Sequence, residues 1–398
     1  MHPLEGIKVL DFSTMLNGPY TAMLLSDMGA DVIKVEPPDG DSWRAVGGGF
    51  IACNRGKRAI CVDLKKEEAK PIIFSMIERS DVLVENARWG VWHRLGLDYE
   101  SVIKIKPDLI YVSVLGHGSS GPLSKTAGYD PLLQSRSGES VSQGGLGKPP
   151  VFHAIPLNDL ATPMLGAWGA VLALLARVRS GKGKGQHVES SLTNASIALQ
   201  SGTFIDYPGL ERKYPGDTGL KGLSASHRLY ETQDKRWIFI MAYQPEHWSS
   251  LCQVLGQETL LSDPRFENEP DRKKNDQTLV EIFIEAFKGK PAAEWVSALS
   301  QAGVPVALGQ SAEEVIRDPH CDANNYFAQI QDPDFGPVRL PGVGPQFSGM
   351  SGIIRRAAPK LGHHTEEILK ELGYTEEQIN TLKNNRIIFQ ADRPIDRA

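Results

Sequence analysis

Short β-branched runs and longer amphipathic runs take turns through roughly the first half of the 398 residues. Ile7-Lys8-Val9-Leu10-Asp11-Phe12 reads as a buried strand, and Gly18-Pro19 then opens a helical run to Met28 that Gly29 ends. Asp31-Val32-Ile33-Lys34-Val35 is a second strand, closed by Pro37-Pro38. The order repeats with a strand at 59–64, a helix at 66–79, a strand at 81–85, a helix near Ser101 and a strand at 109–114. Strands alternating with amphipathic helices predict a mainly parallel sheet with helices on both faces. In such sheets ligands sit beyond the carboxyl ends of the strands. No Gly-x-Gly-x-x-Gly follows the first strand and no phosphate-binding P-loop occurs, which argues against dinucleotide and nucleoside-triphosphate ligands. Gly47-Gly48-Gly49 reads as a mobile loop.

Asn158-Asp159 precedes an apolar helix predicted over 160–178, with Asp159 as its cap, and Gly181-Lys182-Gly183-Lys184-Gly185 ends it. Residues 186–192 form a strand. The pattern changes near residue 205. Residues 207–223, rich in Pro, Gly and charge, read as a linker. The runs 227–232 and 236–242 form a hairpin about Gln233-Asp234-Lys235, followed by helices at 246–255, 279–287 and 293–302. The expected organisation is an α/β large domain over 1–206, the linker, a smaller α+β domain over 224–319, and a return segment over 320–398 that completes the large domain.

The composition excludes several classes. Hydrophobic residues make up 41% and charged residues 23%, as in an ordinary globular protein. A net charge of −5, from 43 basic and 48 acidic residues, argues against general nucleic-acid binding. Cys53, Cys61, Cys252 and Cys321 fit neither a zinc pattern nor a disulfide scaffold and read as buried free thiols. No metal-binding histidine spacing occurs. The first residues lack the basic and apolar regions of a signal peptide, and the apolar stretch 163–176 is too short to span a bilayer. The expected setting is therefore the cytoplasm, with no membrane partner.

Asp159 is the leading chemical candidate. As an ordinary helix cap it would only satisfy backbone N–H groups. As a positioned carboxylate it can attack an electrophilic acyl group and form a covalent intermediate. Lys34, Arg44, Lys57, Arg58, Arg88 and Arg94 fall at or beside the first strand ends. Singly they read as surface charges, and together they suit the phosphates of a nucleotide-like ligand. His117, His227 and His247 are the candidate general bases. Gly118-Ser119-Ser120-Gly121 is one residue short of a nucleophile elbow.

Ordered blocks then carry a resemblance. They run from Leu4-Glu5-Gly6-Ile7-Lys8-Val9-Leu10-Asp11-Phe12 through Gly18-Pro19-Tyr20 and Leu24-Leu25-Ser26-Asp27-Met28-Gly29-Ala30-Asp31-Val32-Ile33-Lys34-Val35-Glu36. Asn54-Arg55-Gly56-Lys57-Arg58, Val84-Glu85-Asn86, Gly128-Tyr129-Asp130-Pro131 and Asp159 follow, then Gly181 to Gln186, His227-Arg228-Leu229-Tyr230, Trp237 and Pro359-Lys360-Leu361-Gly362. Over nearly the whole chain this resembles the class III CoA-transferases, the group of formyl-CoA transferase and carnitine CoA-transferase.

The resemblance implies a Rossmann-like large domain, a smaller domain and an interlocked homodimer. It implies that CoA moves from an acyl-CoA such as succinyl-CoA to a free carboxylic acid through an aspartyl-CoA thioester on Asp159. No cofactor is bound permanently, and coenzyme A is a substrate. A glycine loop near Gly219 and Gly222 would supply oxyanion N–H groups. Met15, Arg58, Asn86, Arg94, Lys125, Tyr129 and Asp130 would contact CoA. The chain departs from the family at Ala87-Arg88-Trp89-Gly90, and has Leu16 where formyl-CoA transferase has a polar residue. Two alternatives remain at this point: an α-methylacyl-CoA racemase, and a non-catalytic subunit of a heteromeric transferase. The racemases carry His in Gly-His-Asp where this chain has Tyr129, a poor base near neutrality.

Overall fold

The structure, a computed structural model, describes residues 1–145, 147–181, 183–210 and 220–390. Internal contacts divide the chain into two compact units. One comprises Met1–Ser137, His153–Tyr207 and Pro319–Ala398, the other Gly138–Phe152 and Pro208–Asp318. Gly138–Phe152 thus groups with the second unit, whereas the sequence reading keeps it in 1–206.

The first unit is built on β1 (Lys8–Asp11), β2 (Asp31–Glu36), β3 (Arg58–Val62), β4 (Val82–Glu85), β5 (Ile110–Leu115) and β6 (Gln186–Ser191). These strands are parallel, in the order β3-β2-β1-β4-β5-β6. A final strand, Ile388–Phe389, pairs antiparallel with β3 and brings the return segment into the sheet. The α/β class expected from the alternating pattern is the one observed.

Both sheet faces are buried, which explains strands that are apolar at nearly every position. Val9, Val32, Val82, Val84, Ile110 and Val112 pack on one side with Ala22, Leu25, Ala170 and Leu174 of the helices Asn17–Asp27 and Leu157–Arg179. Leu10, Ile60, Leu83 and Tyr111, one residue out of phase, pack on the other side with Ile72, Ile73, Met76, Val102, Ile368 and Leu369. Each fully buried side chain of this kind contributes about 1.5–3 kcal/mol over its exposed state.

Three local expectations need correction. Gly48–Asn54 is a helix, with Gly47 at φ +62° before it, so Gly47-Gly48-Gly49 is not a simple loop. Burial of Phe50 and Ile51 outweighs the poor helix propensity of the glycines. The helix around Asp159 starts at Leu157, which puts Asp159 inside the first turn and not at the cap. That helix also runs to Arg179. Among the described residues it is long and apolar enough to cross a membrane by length and composition, which the stretch 163–176 is not.

In the second unit, β7 (Gly222–Ser224), β8 (His227–Glu231), β9 (Trp237–Met241) and β10 (Val306–Leu308) form an antiparallel sheet in the order β10-β9-β8-β7. Ile238 and Ile240 point from β9 into a core with Leu251, Phe283, Phe287, Trp295 and Leu299 of three helices. The hairpin turn between β8 and β9 places Lys235 at φ +63°.

Candidate active site

The strand order reverses between β1 and β4, so the segments leaving these strands diverge and open a crevice. A cavity of about 900 Å³ lies there, in the first unit. Its walls include Met15 and Asn17 after β1, Asn86 and Trp89 after β4, His117 after β5, and Asp159.

The segment after β1 is held from below by buried ion pairs. Lys57 Nζ lies 2.7 Å from Asp11 Oδ2 and also donates to Pro19 O and Asn54 Oδ1. Lys34 Nζ lies 2.9 Å from Asp41 Oδ2 and donates to Ser13 O at 2.8 Å. Burial pulls the Lys57 ammonium down to about 8 although Asp11 opposes the fall. Asp41 Oδ1 accepts the N–H groups of Met15 (3.0 Å) and Trp43 (2.9 Å), fixing two parts of the cavity wall at once. Met15 sits at φ +67°, a left-handed conformation that costs a non-glycine residue roughly 1–2 kcal/mol.

Asn86 clasps the same segment. Its Oδ1 accepts from Thr14 N at 2.9 Å, and its Nδ2 donates to Thr14 O at 2.8 Å and Asn17 Oδ1 at 2.9 Å. A Cβ on Gly18 would come within 2.3 Å of Ser13 Cβ and 3.0 Å of Asn86 Cγ, so only glycine lets the helix start this close. Asn86 therefore shapes the wall with the polar groups expected to reach a ligand. The Met15 N–H is likewise already occupied.

Asp159 is held by a different aspartate. Asp130 is buried, and its Oδ2 accepts from Asn158 N at 2.8 Å and Asp159 N at 3.1 Å. Asp130 Oδ1 accepts from Gln134 Nε2, one turn along the helix Asp130–Arg136. Gln134 also exchanges hydrogen bonds with the backbone of His153, ahead of the Asp159 helix. Because Asp130 supplies the cap, the Asp159 carboxylate is left to the cavity. Burial, with the negative charge of Asp130 added, pushes its pKa up from 3.8 to about 6. The helix N-terminus does not make it a strongly acidic group, as capping alone would. Pro163, inside the helix, lacks the N–H that the Asp159 carbonyl would otherwise accept.

The loop bearing Tyr129 and Asp130 is set by a backbone contact. A Cβ on Gly128 would lie 2.4 Å from Gly116 Cα, at the end of β5. Tyr129 and Lys125 both line the cavity. Tyr129 Oη accepts from Arg88, and Lys125 Nζ sits 4.1 Å above the Trp89 ring.

Several expected ligand groups lie elsewhere. Arg58 is buried and pairs with Asp31 (2.7 Å), Glu367 (2.9 Å) and Glu371 (2.7 Å). Burial disfavours its charge, but hydrogen bonds to Glu371 and Asp31 outweigh that and hold its pKa above the ordinary value. Its guanidinium ties β3 to β2 and to the helix Thr365–Glu371 and is not free for a phosphate. Arg44 forms a two-point pair with Glu36, and Lys34 and Lys57 are committed as above. Arg94 is exposed on the short helix Val91–Leu95, whose Trp92 and His93 line the cavity. Gly222 belongs to the second unit, where an added Cβ would approach His227 O and Arg228 Cβ to 2.3 Å. Gly219 lies outside the described residues. The sequence reading missed Asp41 and Gln134. The spacing of Asp130 and Gln134, one helical turn, was the available signal for the second.

Comparison with known proteins gives one consistent answer. The profile of CoA-transferase family III matches residues 4–365. The chain is 34% identical to the acetyl-CoA:oxalate CoA-transferase of Acetobacter aceti, over 94% of this chain and 97% of that protein. It is 31% identical to the succinyl-CoA:glutarate CoA-transferase of Mus musculus, over 98% and 91%. Among solved structures, a CAIB/BAIF family protein from Brucella suis superposes with a TM-score of 0.85 at 30% identity, covering 93% of this chain and 99% of that one.

Proposed function

Because this chain belongs to CoA-transferase family III and is a CoA-transferase, we propose that it moves CoA from an acyl-CoA donor, succinyl-CoA or a similar ester, to a free carboxylic acid through an aspartyl-CoA thioester on Asp159. The observation that carries this reading is the Asp159 carboxylate on the cavity wall, freed from capping by Asp130.

A carboxylate oxygen of Asp159 attacks the thioester carbonyl. The C–S bond breaks, giving a mixed anhydride and CoA thiolate. The thiolate attacks the aspartyl carbonyl of the anhydride, the C–O bond breaks, and the donor acid leaves with CoA on Asp159. The acceptor carboxylate attacks that thioester and displaces the thiolate. The thiolate then attacks the acceptor's acyl carbon and regenerates the Asp159 carboxylate. No net proton is consumed. A partly desolvated carboxylate is a better nucleophile than a hydrated one, and a pKa near 6 leaves it ionised at neutral pH.

The enzyme is proposed to act in the cytoplasm as an interlocked homodimer. Met164, Trp168, Leu172 and Leu175 are about half exposed along one stripe of the Leu157–Arg179 helix, a surface that a second copy would cover. Light scattering should then give twice the chain mass at every dilution that retains activity. Asp159→Asn keeps the side-chain shape and removes the nucleophile. Transfer should fall to background in this variant, and near-normal turnover would exclude the covalent route.

A further inference from the structure

Resting on that reading, we propose that Glu85 is a positioning residue whose buried carboxylate sets the cavity wall from Asn86 to Trp92 and, through that wall, the affinity for the CoA ester.

The wall has little of its own to hold it. Residues 86–90 leave β4 without regular structure, and the helix Val91–Leu95 is five residues long, with none of them fully buried. Gly90 at φ +78° and Gly96 at φ +68° bound that helix. So short a helix is not stable by itself in water. Yet Ala87, Trp89 and Trp92 all line the cavity.

Glu85, the last residue of β4, is 4% exposed and grips this segment at two points. Its Oε2 accepts the Ala87 N–H at 2.9 Å and the Trp92 indole N–H at 2.6 Å. The Trp92 ring then meets Phe12 edge to face, with centroids 5.3 Å apart. Glu85 is itself held from β5. Ser113 hydrogen-bonds to its carboxylate, and Ser113 Oγ lies 2.9 Å from His187 Nε2 on β6. Tyr111, two residues before Ser113 and on the same face, donates to Leu97 O at 3.0 Å, and the Leu97 N–H donates to Trp92 O at 2.9 Å. Strand β5 thus secures both ends of 85–97, and Glu85 is the link between strand and wall. Burial raises the Glu85 pKa, and the donated hydrogen bonds oppose that rise. A carboxylate this enclosed is tolerated where partners satisfy it, and here two of those partners belong to the cavity wall.

Amide hydrogen exchange of the unliganded protein, read beside calorimetric titration of CoA, tests this. Glu85→Ala should exchange about tenfold faster in peptides spanning 86–97, while the helix Leu157–Arg179 keeps its parent rate. Its dissociation constant for CoA should rise by about tenfold, the scale of a lost charge-assisted hydrogen bond. The kcat at saturating donor should hold, because Asp159 is set by Asp130. Gln can place its carbonyl oxygen at the Oε2 position and its amide against Ser113, so Glu85→Gln should recover most of both losses. Trp92→Phe keeps a ring against Phe12 without the donor and should show the same pattern more weakly, which keeps the test open if Glu85→Ala does not fold. Exchange and CoA affinity unchanged in Trp92→Phe and in folded Glu85→Ala would overturn the proposal. So would exchange raised throughout the protein, which marks general support of the fold. Glu85→Gln as damaging as Glu85→Ala would put the charge itself to use, and kcat lost with CoA affinity intact would make Glu85 part of the chemistry; either result overturns the positioning role. Failure of the unsubstituted protein to bind CoA would instead refute the transferase reading beneath it, with the exchange result still deciding the wall.

Discussion

Asp130 caps the helix from which Asp159 faces the cavity, accepting the Asp159 N–H at 3.1 Å while its charge helps to raise the pKa of the Asp159 carboxyl. One aspartate does the structural work that leaves the other available for chemistry. The two effects of Asp130 are separable by substitution.

Asp130→Asn keeps an acceptor for the helix but removes the charge. Burial still raises the Asp159 pKa, so the value should fall from about 6 without returning to 3.8. Because the proposed nucleophile must be ionised, the acid limb of the pH–kcat profile should move to lower pH in this variant. A limb that stays in place would mean that Asp130 does not influence the reacting carboxylate. Asp130→Ala also loses the cap and should cost about 1–2 kcal/mol in denaturant unfolding.

Asp159 should carry a stability cost that depends on pH. Below the ordinary value of 3.8 the carboxyl is protonated in both the folded and the unfolded chain and costs nothing. As pH rises through about 6, the folded state must carry a charge that the unfolded chain carries more easily, and stability is lost. Asp159→Asn should therefore be more stable than the parent protein at pH 7.5, on the order of 1–2 kcal/mol, and nearly equal to it at pH 4. Thermal unfolding at the two pH values measures this. A variant less stable at pH 7.5 would contradict the buried-carboxylate description.

Arg58 separates a structural role from a binding one. Arg58→Gln leaves Asp31 and two half-exposed glutamates without their shared cation. Unfolding free energy should drop by about 1–3 kcal/mol, less than for a wholly buried pair because the partners remain hydrated. The Michaelis constant for acyl-CoA should stay the same below the melting transition. A large rise in that constant would restore Arg58 as a ligand contact.

Asp41 should act through Met15. With Asp41→Ala, the Met15 N–H loses its acceptor, the Lys34 ammonium loses its Asp41 carboxylate and keeps Ser13 O, and the left-handed turn loses the contact that maintains it. Acyl-CoA should bind several-fold more weakly because the wall after β1 relaxes. Met15→Gly in that background should recover part of the loss, since glycine adopts the turn freely. No recovery would mean that Asp41 acts through Trp43 instead.

The parallel sheet was legible because Val9, Val84 and Val112 on one face and Leu10, Leu83 and Tyr111 on the other leave a dense apolar record in short segments. Asp159 was legible as a chemical candidate from its place before an apolar helix. The true start of that helix was not, because its cap is 29 residues away and no local pattern marks it. Arg58 reads as a free cation for the same reason at greater range. Its partners Glu367 and Glu371 lie more than 300 residues on, so a cation neutralised in the fold looks free in the chain. Arg88 and Lys125, both named from the sequence, differ from Arg58: among the described residues neither forms an ion pair, and their contacts are to Tyr129 and Trp89 on the cavity wall.

The most direct test of the account is the mass of the peptide containing Asp159 after brief incubation of the protein with an acyl-CoA donor, acid quenching and digestion. The account predicts a fraction of that peptide heavier by one CoA less one water, absent from Asp159→Asn and discharged when the acceptor acid is added before quenching. An unmodified Asp159 peptide under conditions where transfer is measurably proceeding, or the same adduct on another residue, would contradict it.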